Sequence, residues 1–214
     1  TMLSACDDRT KVIWICSPNN PTGNLINSIE IEKILTAFEG IVVIDEAYSD
    51  FTKARAWRTR LAEFPNMIVL NTMSKAWGSA AIRLGMAFAS KEIIGLFNKV
   101  KYPYNVNELT QNFALQRLSD AFEVEKWVRT IVVERERMVV AFSQLPICEK
   151  VYPTDANFFL AKVSDAPNIY TYLIDRGIVV RNRNNVQLCH NCLRITVGSK
   201  KENNELLAAL RQYS

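Results

Sequence analysis

Long apolar runs are scarce in this 214-residue sequence. No stretch approaches the roughly 20 apolar residues of a membrane-spanning helix, so no membrane association is expected. Charge of one sign is not concentrated either. Twenty-six Lys and Arg against 22 Asp and Glu leave +4, and segments such as Glu134-Arg135-Glu136-Arg137 alternate sign as a solvated helix face does. That mixing argues against nucleic acid as a partner. The five cysteines are an odd number and Cys16 lies inside an apolar run, which argues against a secreted disulfide framework. The opening residues lack the charged-then-apolar order of a signal peptide, and a cytoplasmic location is expected. Histidine is reduced to His190 alone, and there is no internal repeat or low-complexity tract.

What is present is an ordinary globular balance, 49% apolar and 22% charged, enough for one large or two smaller domains. Short β-rich runs recur at 12–16, 41–44, 67–70 and 84–89, each beside a polar or Gly/Pro turn. Between the first two, Ile29, Ile31, Ile34, Leu35 and Phe38 form a helical apolar stripe, with Ser28 as the expected N-cap. A strand, helix, strand order with runs apolar on both faces predicts a mainly parallel sheet, whose ligands sit beyond the carboxyl ends of its strands. Helical periodicity then dominates 93–100 and 109–145. After Pro146, strands are expected at 158–163, 178–181 and 193–197, with helices near 169–176 and 201–212. The expected fold is α/β: a partial large domain over 1–114 and a small C-terminal α+β domain over 115–214. A strand within about a dozen residues of Thr1 also suggests that a preceding segment is missing.

Three constellations follow three successive strands. Ser17-Pro18-Asn19-Asn20-Pro21-Thr22-Gly23-Asn24 is a stiff turn that would hold the Asn20 amide towards an acceptor. Val42-Val43-Ile44-Asp45-Glu46-Ala47-Tyr48 ends an apolar strand on a carboxylate, and a buried carboxylate needs a cationic or hydrogen-bonding partner. Asn71-Thr72-Met73-Ser74-Lys75 sets two hydroxyls before a lysine, with Arg83 eight residues later. Hydroxyls and a guanidinium suit a phosphate. A lysine beside them, partly desolvated and near other positive charge, would be nucleophilic towards an aldehyde. Taken singly, each has a plainer reading: a connector, a strand-end acid, an exposed loop lysine.

Together, their order and residues resemble those of fold type I pyridoxal-phosphate aminotransferases over essentially the whole chain. The resemblance implies that Lys75 carries the cofactor as a Schiff base and shuttles the substrate proton. It implies that Asp45 pairs with the ring nitrogen and that Tyr48 and Asn20 hydrogen-bond the ring oxygen. Thr72, Ser74 and Arg83 would meet the cofactor phosphate. A cis Asn20–Pro21 bond is expected on the same ground.

Tyr152-Pro153-Thr154-Asp155-Ala156-Asn157-Phe158, Gly177-Ile178-Val179-Val180-Arg181 and Cys192-Leu193-Arg194-Ile195-Thr196-Val197-Gly198 look like the corresponding segments of histidinol-phosphate aminotransferases. That implies transfer of an amino group between glutamate and the phosphorylated substrate pair, in histidine biosynthesis. Arg194 would clamp a carboxylate, Arg181 would help bind the substrate phosphate, and Asn157 would contact ligand or cofactor. A homodimer is implied in the same way.

Alternatives stay open: an aromatic or other amino acid aminotransferase, a threonine-phosphate decarboxylase, or a folded remnant that binds the cofactor without turnover. No metal is expected. Cys189-His190-Asn191-Cys192 offers two cysteines and one histidine, short of the four ligands of a structural zinc site.

Overall fold

The fold is described from a computed structural model over residues 2–213. It divides into two compact units. The first comprises residues 1–18 and 25–126, the second 19–24 and 127–214, with residues 1 and 214 outside the description.

In the first unit, β1 (Val12–Cys16), β2 (Ile41–Asp45) and β3 (Met67–Thr72) run parallel, and β4 (Gly85–Phe88) closes the sheet antiparallel to β3 in the order β1-β2-β3-β4. The parallel-dominated α/β arrangement is the expected one. Alternation along the strands turns Ile13, Ile15, Val42, Ile44, Met67 and Val69 to one face. There they bury against Ile31 and Leu35 of α1 (Ser28–Ala37). Residues four apart share one helix face, so those two cover the strands while Glu30 and Lys33 pair on the exposed side at 2.6 Å. Asn27, not the expected Ser28, caps α1: its side-chain oxygen accepts the Ile29 N–H at 2.9 Å. β1 pairs only with β2 among the described residues, and Trp14 on it is 64% exposed.

Two helices follow, α2 (Lys91–Val100) and α3 (Glu108–Ser119). The region 109–145, expected to be helical, is broken at Asp120, after which α4 (Ala121–Ser143) begins; the unit boundary falls inside α4.

The second unit holds an antiparallel sheet in the order β5-β6-β8-β7. Its strands are β5 (Cys148–Val151), β6 (Phe158–Val163), β7 (Arg181–Asn182) and β8 (Cys192–Thr196). β5 was not expected, because Glu149 and Lys150 break any apolar run. β7 is shorter and later than the expected 178–181 strand. The core joins Phe159, Ala161, Val163, Leu193 and Ile195 of the sheet to Met138 and Phe142 of α4. Ile169 and Leu173 of α5 (Ala166–Ile174) and Leu206, Leu207 and Leu210 of α6 (Lys200–Arg211) complete it. Phe142 meets Phe159 edge to face at 5.3 Å, a favoured geometry for aromatic quadrupoles.

Candidate active site

In the first unit the carboxyl ends of β2 and β3 lie side by side, Asp45 in register with Leu70, and set two loops next to each other. Asp45 is the last residue of β2, and one carboxylate oxygen accepts the Ala47 N–H at 3.0 Å. Alternation puts Asp45 and Glu46 on opposite sides, and the deeply buried carboxylate of the pair is Glu46, 3% exposed, while Asp45 is half-buried. Asp45, expected to be buried, is thus only partly so. Glu46 accepts the Trp57 N–H at 2.8 Å and faces Arg58 at 3.8 Å. Burial, the largest influence, pushes its pKa up against these partners.

Tyr48 is buried, and the Lys75 ammonium nitrogen lies 5.3 Å from its ring centroid, within the range in which a cation is attracted to the negative ring face. Lys75 is exposed and forms no ion pair among the described residues. The partial desolvation expected of it is therefore not found. Its turn is held by backbone bonds from Gly78 to Lys75 at 3.0 Å and from Ser79 to Met73 at 2.9 Å.

Thr72 and Ser74 are drawn together, hydroxyl to hydroxyl at 3.0 Å, and Thr72 Oγ1 accepts the Ser74 N–H at 3.1 Å. Arg83 sits in the left-handed region at φ 53°, exposed, with one guanidinium N–H donated to the Ala80 carbonyl at 3.0 Å.

Asn71 was missed in the sequence. It is buried, its Oδ1 accepts the Thr72 N–H at 2.6 Å, and its Nδ2 reaches the Glu46 carbonyl at 3.3 Å. It thus ties the Lys75 loop to the Tyr48 loop. A polar residue ending an apolar strand was the only available signal.

The second unit gathers the remaining candidates. Asn20–Pro21 is cis, as expected, and Ser17–Pro18 in the first unit is cis as well. Arg194 Nη1 donates to Asn20 Oδ1 at 2.7 Å, and its guanidinium lies 4.7 Å from the Phe158 ring centroid. Since arginine has donors only, the Asn20 atom facing it must be the oxygen, which leaves the NH2 group as the end available to an acceptor. Arg181 of β7 is paired in register with Arg194 and is exposed, so two guanidinium-bearing residues stand opposite each other on neighbouring strands. Asn157 is half-buried, and its backbone carbonyl accepts the Val197 N–H at 2.9 Å. Cys189 and Cys192 are buried with Leu160 beside Tyr152, and no three metal-ligating side chains converge among the described residues. No helix among them is long and apolar enough to cross a membrane.

The arrangement resembles known proteins. Histidinol-phosphate aminotransferase of Bacteroides thetaiotaomicron is 56% identical over 212 residues, covering 99% of this chain and 61% of that protein. The crystal structure of the histidinol-phosphate aminotransferase from Clostridium acetobutylicum superposes with a TM-score of 0.89 at 26% identity, covering 95% of this chain and 64% of that one. That of Sinorhizobium meliloti, solved in complex with pyridoxal-5'-phosphate, has a TM-score of 0.84 at 24% identity, a likeness of fold, covering 96% of this chain and 57% of that one. The chain therefore spans about three fifths of the length of such relatives. The family model for aminotransferase class I and II matches residues 1–210, and the chain belongs to that family.

Proposed function

We propose that this chain carries the cofactor-anchoring and carboxylate-binding residues of a pyridoxal-phosphate-dependent histidinol-phosphate aminotransferase. The observation that carries the reading is the meeting of Lys75 and Tyr48 beside the Thr72–Ser74 hydroxyl pair. The names of the relatives support the substrate.

The residues present fit pyridoxal phosphate. The Lys75 amine is exposed and so within reach of an aldehyde, and Asp45 ends its strand with a half-exposed carboxylate. Two adjoining hydroxyls and the guanidinium of Arg83 suit a phosphate. Bound, the cofactor supplies an electrophilic carbonyl and a cationic ring that takes up electron density from the substrate Cα.

Lys75 would hold the cofactor through its amine, and the same amine would take up and give back the proton of the substrate Cα. The Asp45 carboxylate would pair with the ring nitrogen and favour its protonated form. Tyr48 and Asn20 would bind the ring oxygen, Asn20 through the NH2 group that its bond to Arg194 leaves available. Arg194 receives the carboxylate of glutamate, because a planar fork meets two oxygens at once. Arg181 binds the phosphate of the other substrate, and Asn157 contacts ligand. The active assembly is a cytoplasmic homodimer acting on small molecules.

The test is reduction with borohydride after adding pyridoxal phosphate, followed by peptide mass mapping. The mass of the reduced cofactor is expected on Lys75 and is lost in Lys75→Ala. Labelling elsewhere with Lys75 unmodified would sink the assignment. Amino transfer from histidinol phosphate to 2-oxoglutarate, measured against CO2 release from threonine phosphate, tests the substrate.

A further inference from the structure

The turn that carries Asn20 is held at its far end by the loop before β6. Gly23 has φ +86°, and any side chain there would collide with Thr154 Oγ1. Its carbonyl accepts the Asp155 N–H at 2.8 Å. Thr154 in turn donates its hydroxyl to the Phe158 carbonyl at 2.5 Å and accepts the Ala156 N–H at 3.2 Å. One hydroxyl thereby folds residues 154–158 into a tight seat, as Ser and Thr hydroxyls do in turns.

The same seat reaches Asn20 from the other side. The Phe158 ring lies against the Arg194 guanidinium, and that guanidinium donates to Asn20 Oδ1. Contacts therefore run in a closed circuit, from Asn20 along the turn to Gly23, across to Thr154 and Asp155, through Phe158 to Arg194, and back to Asn20. All of these residues lie in the second unit. Two directions are fixed by that circuit: where the Asn20 amide points and where the Arg194 fork points.

We infer that Thr154 is a positioning residue for the Asn20–Arg194 pair. The inference rests on the reading of those two side chains as ligand-binding. Valine in place of Thr154 would fill nearly the same space but take away the hydroxyl, leaving the Phe158 carbonyl and the Ala156 N–H without that partner. The seat loosens at both ends of the circuit together. A carboxylate fork needs its geometry held to about half an ångström, so ligand affinity falls even where the fold survives.

The experiment compares Thr154→Val with Thr154→Ser in the full 214-residue chain. Three quantities are read: the thermal midpoint, the Kd for 2-oxoglutarate in the presence of pyridoxal phosphate, and the Asn20 side-chain NH2 signal in a proton–nitrogen NMR spectrum. That signal is assigned by its loss in Asn20→Asp. Thr154→Val is expected to move the signal and to weaken 2-oxoglutarate binding about tenfold, or 1.4 kcal/mol, whereas Thr154→Ser returns both to within about twofold of the parent. A hydroxyl that merely adds stability would lower the midpoint and leave the Asn20 signal of the folded variant in place, which would overturn the inference. So would a serine variant as impaired as the valine one. Should the valine variant not fold, Thr154→Ala, which also lacks the hydroxyl and adds no bulk, is read in the same way. If the parent chain binds neither ligand, the functional reading fails, and the Asn20 signal still decides whether Thr154 positions it.

Discussion

Glu46 shows at the scale of a single residue what the sequence pattern concealed. Asp45 ends β2 and Glu46 follows it, and charge alone does not say which is buried; Glu46 lies inside and Asp45 at the half-open edge. The buried one titrates with consequences for stability. Burial raises its pKa above the ordinary 4.5, against the lowering effects of the Trp57 N–H and Arg58. A carboxyl whose folded pKa is raised binds its proton more tightly in the native state. Its contribution is thus fully present below the unfolded value and is lost as pH rises through the folded one. Glu46→Gln keeps an oxygen for the Trp57 N–H and removes the titration. As pH rises above the ordinary carboxylate range, the urea midpoint of the parent should fall relative to that of the glutamine variant. A parent that gains on the variant as pH rises would show that Arg58, not burial, dominates at this site. The candidate ligand-binding residues were legible for a different reason. Lys75, Asp45, Tyr48 and Asn20 stand out because each lies just past an apolar run, where a parallel sheet offers its binding edge. Asn71, also at the end of a strand, acts by tying backbone groups of two loops together, a role that only the fold reveals.

At the scale of elements, the strands of the first unit could be read from apolar runs and α1 from its stripe, but ends and interruptions could not. Asn27 and Ser28 are both good caps by residue type. The choice between them depends on which side chain reaches the first free N–H, and that is a matter of backbone geometry. Asn27 accepts from Ile29 N–H, so Asn27→Ala should cost about 1 kcal/mol in chemical denaturation while Ser28→Ala costs a few tenths at most. Equal losses at the two positions would contradict the cap assignment. The break at Asp120 has no sequence marker, since it involves neither glycine nor proline. β5 escaped because a short edge strand with Glu149 and Lys150 facing solvent has no alternation to detect.

At the scale of the whole molecule, the two units keep separate hydrophobic cores, one gathered on α1 and the parallel sheet, the other on α4, α5 and α6 against the antiparallel sheet. That much followed from the order of the elements, since a strand, helix, strand region followed by short strands and helices does not share one sheet. The turn at 19–24 is the exception: by sequence it follows β1, yet it belongs to the second unit, because Gly23 is bound by Asp155 and Asn20 by Arg194. Contacts between residues more than 130 positions apart leave no local trace. Separate cores have a measurable consequence. Phe142 is fully buried in the second core and meets Phe159 there, and truncating it removes a large apolar volume that a close-packed interior cannot refill, at a cost of about 3–5 kcal/mol. In Phe142→Ala, native-state hydrogen exchange should speed up at the β6 and β8 amides of Phe159, Leu193 and Ile195. The amides of Val42, Ile44 and Val69, whose side chains lie in the other core, should keep the protection of the parent, since opening free energies are set by the cooperative unit in which an amide resides. Equal acceleration in both sets would mean that the two cores unfold as one.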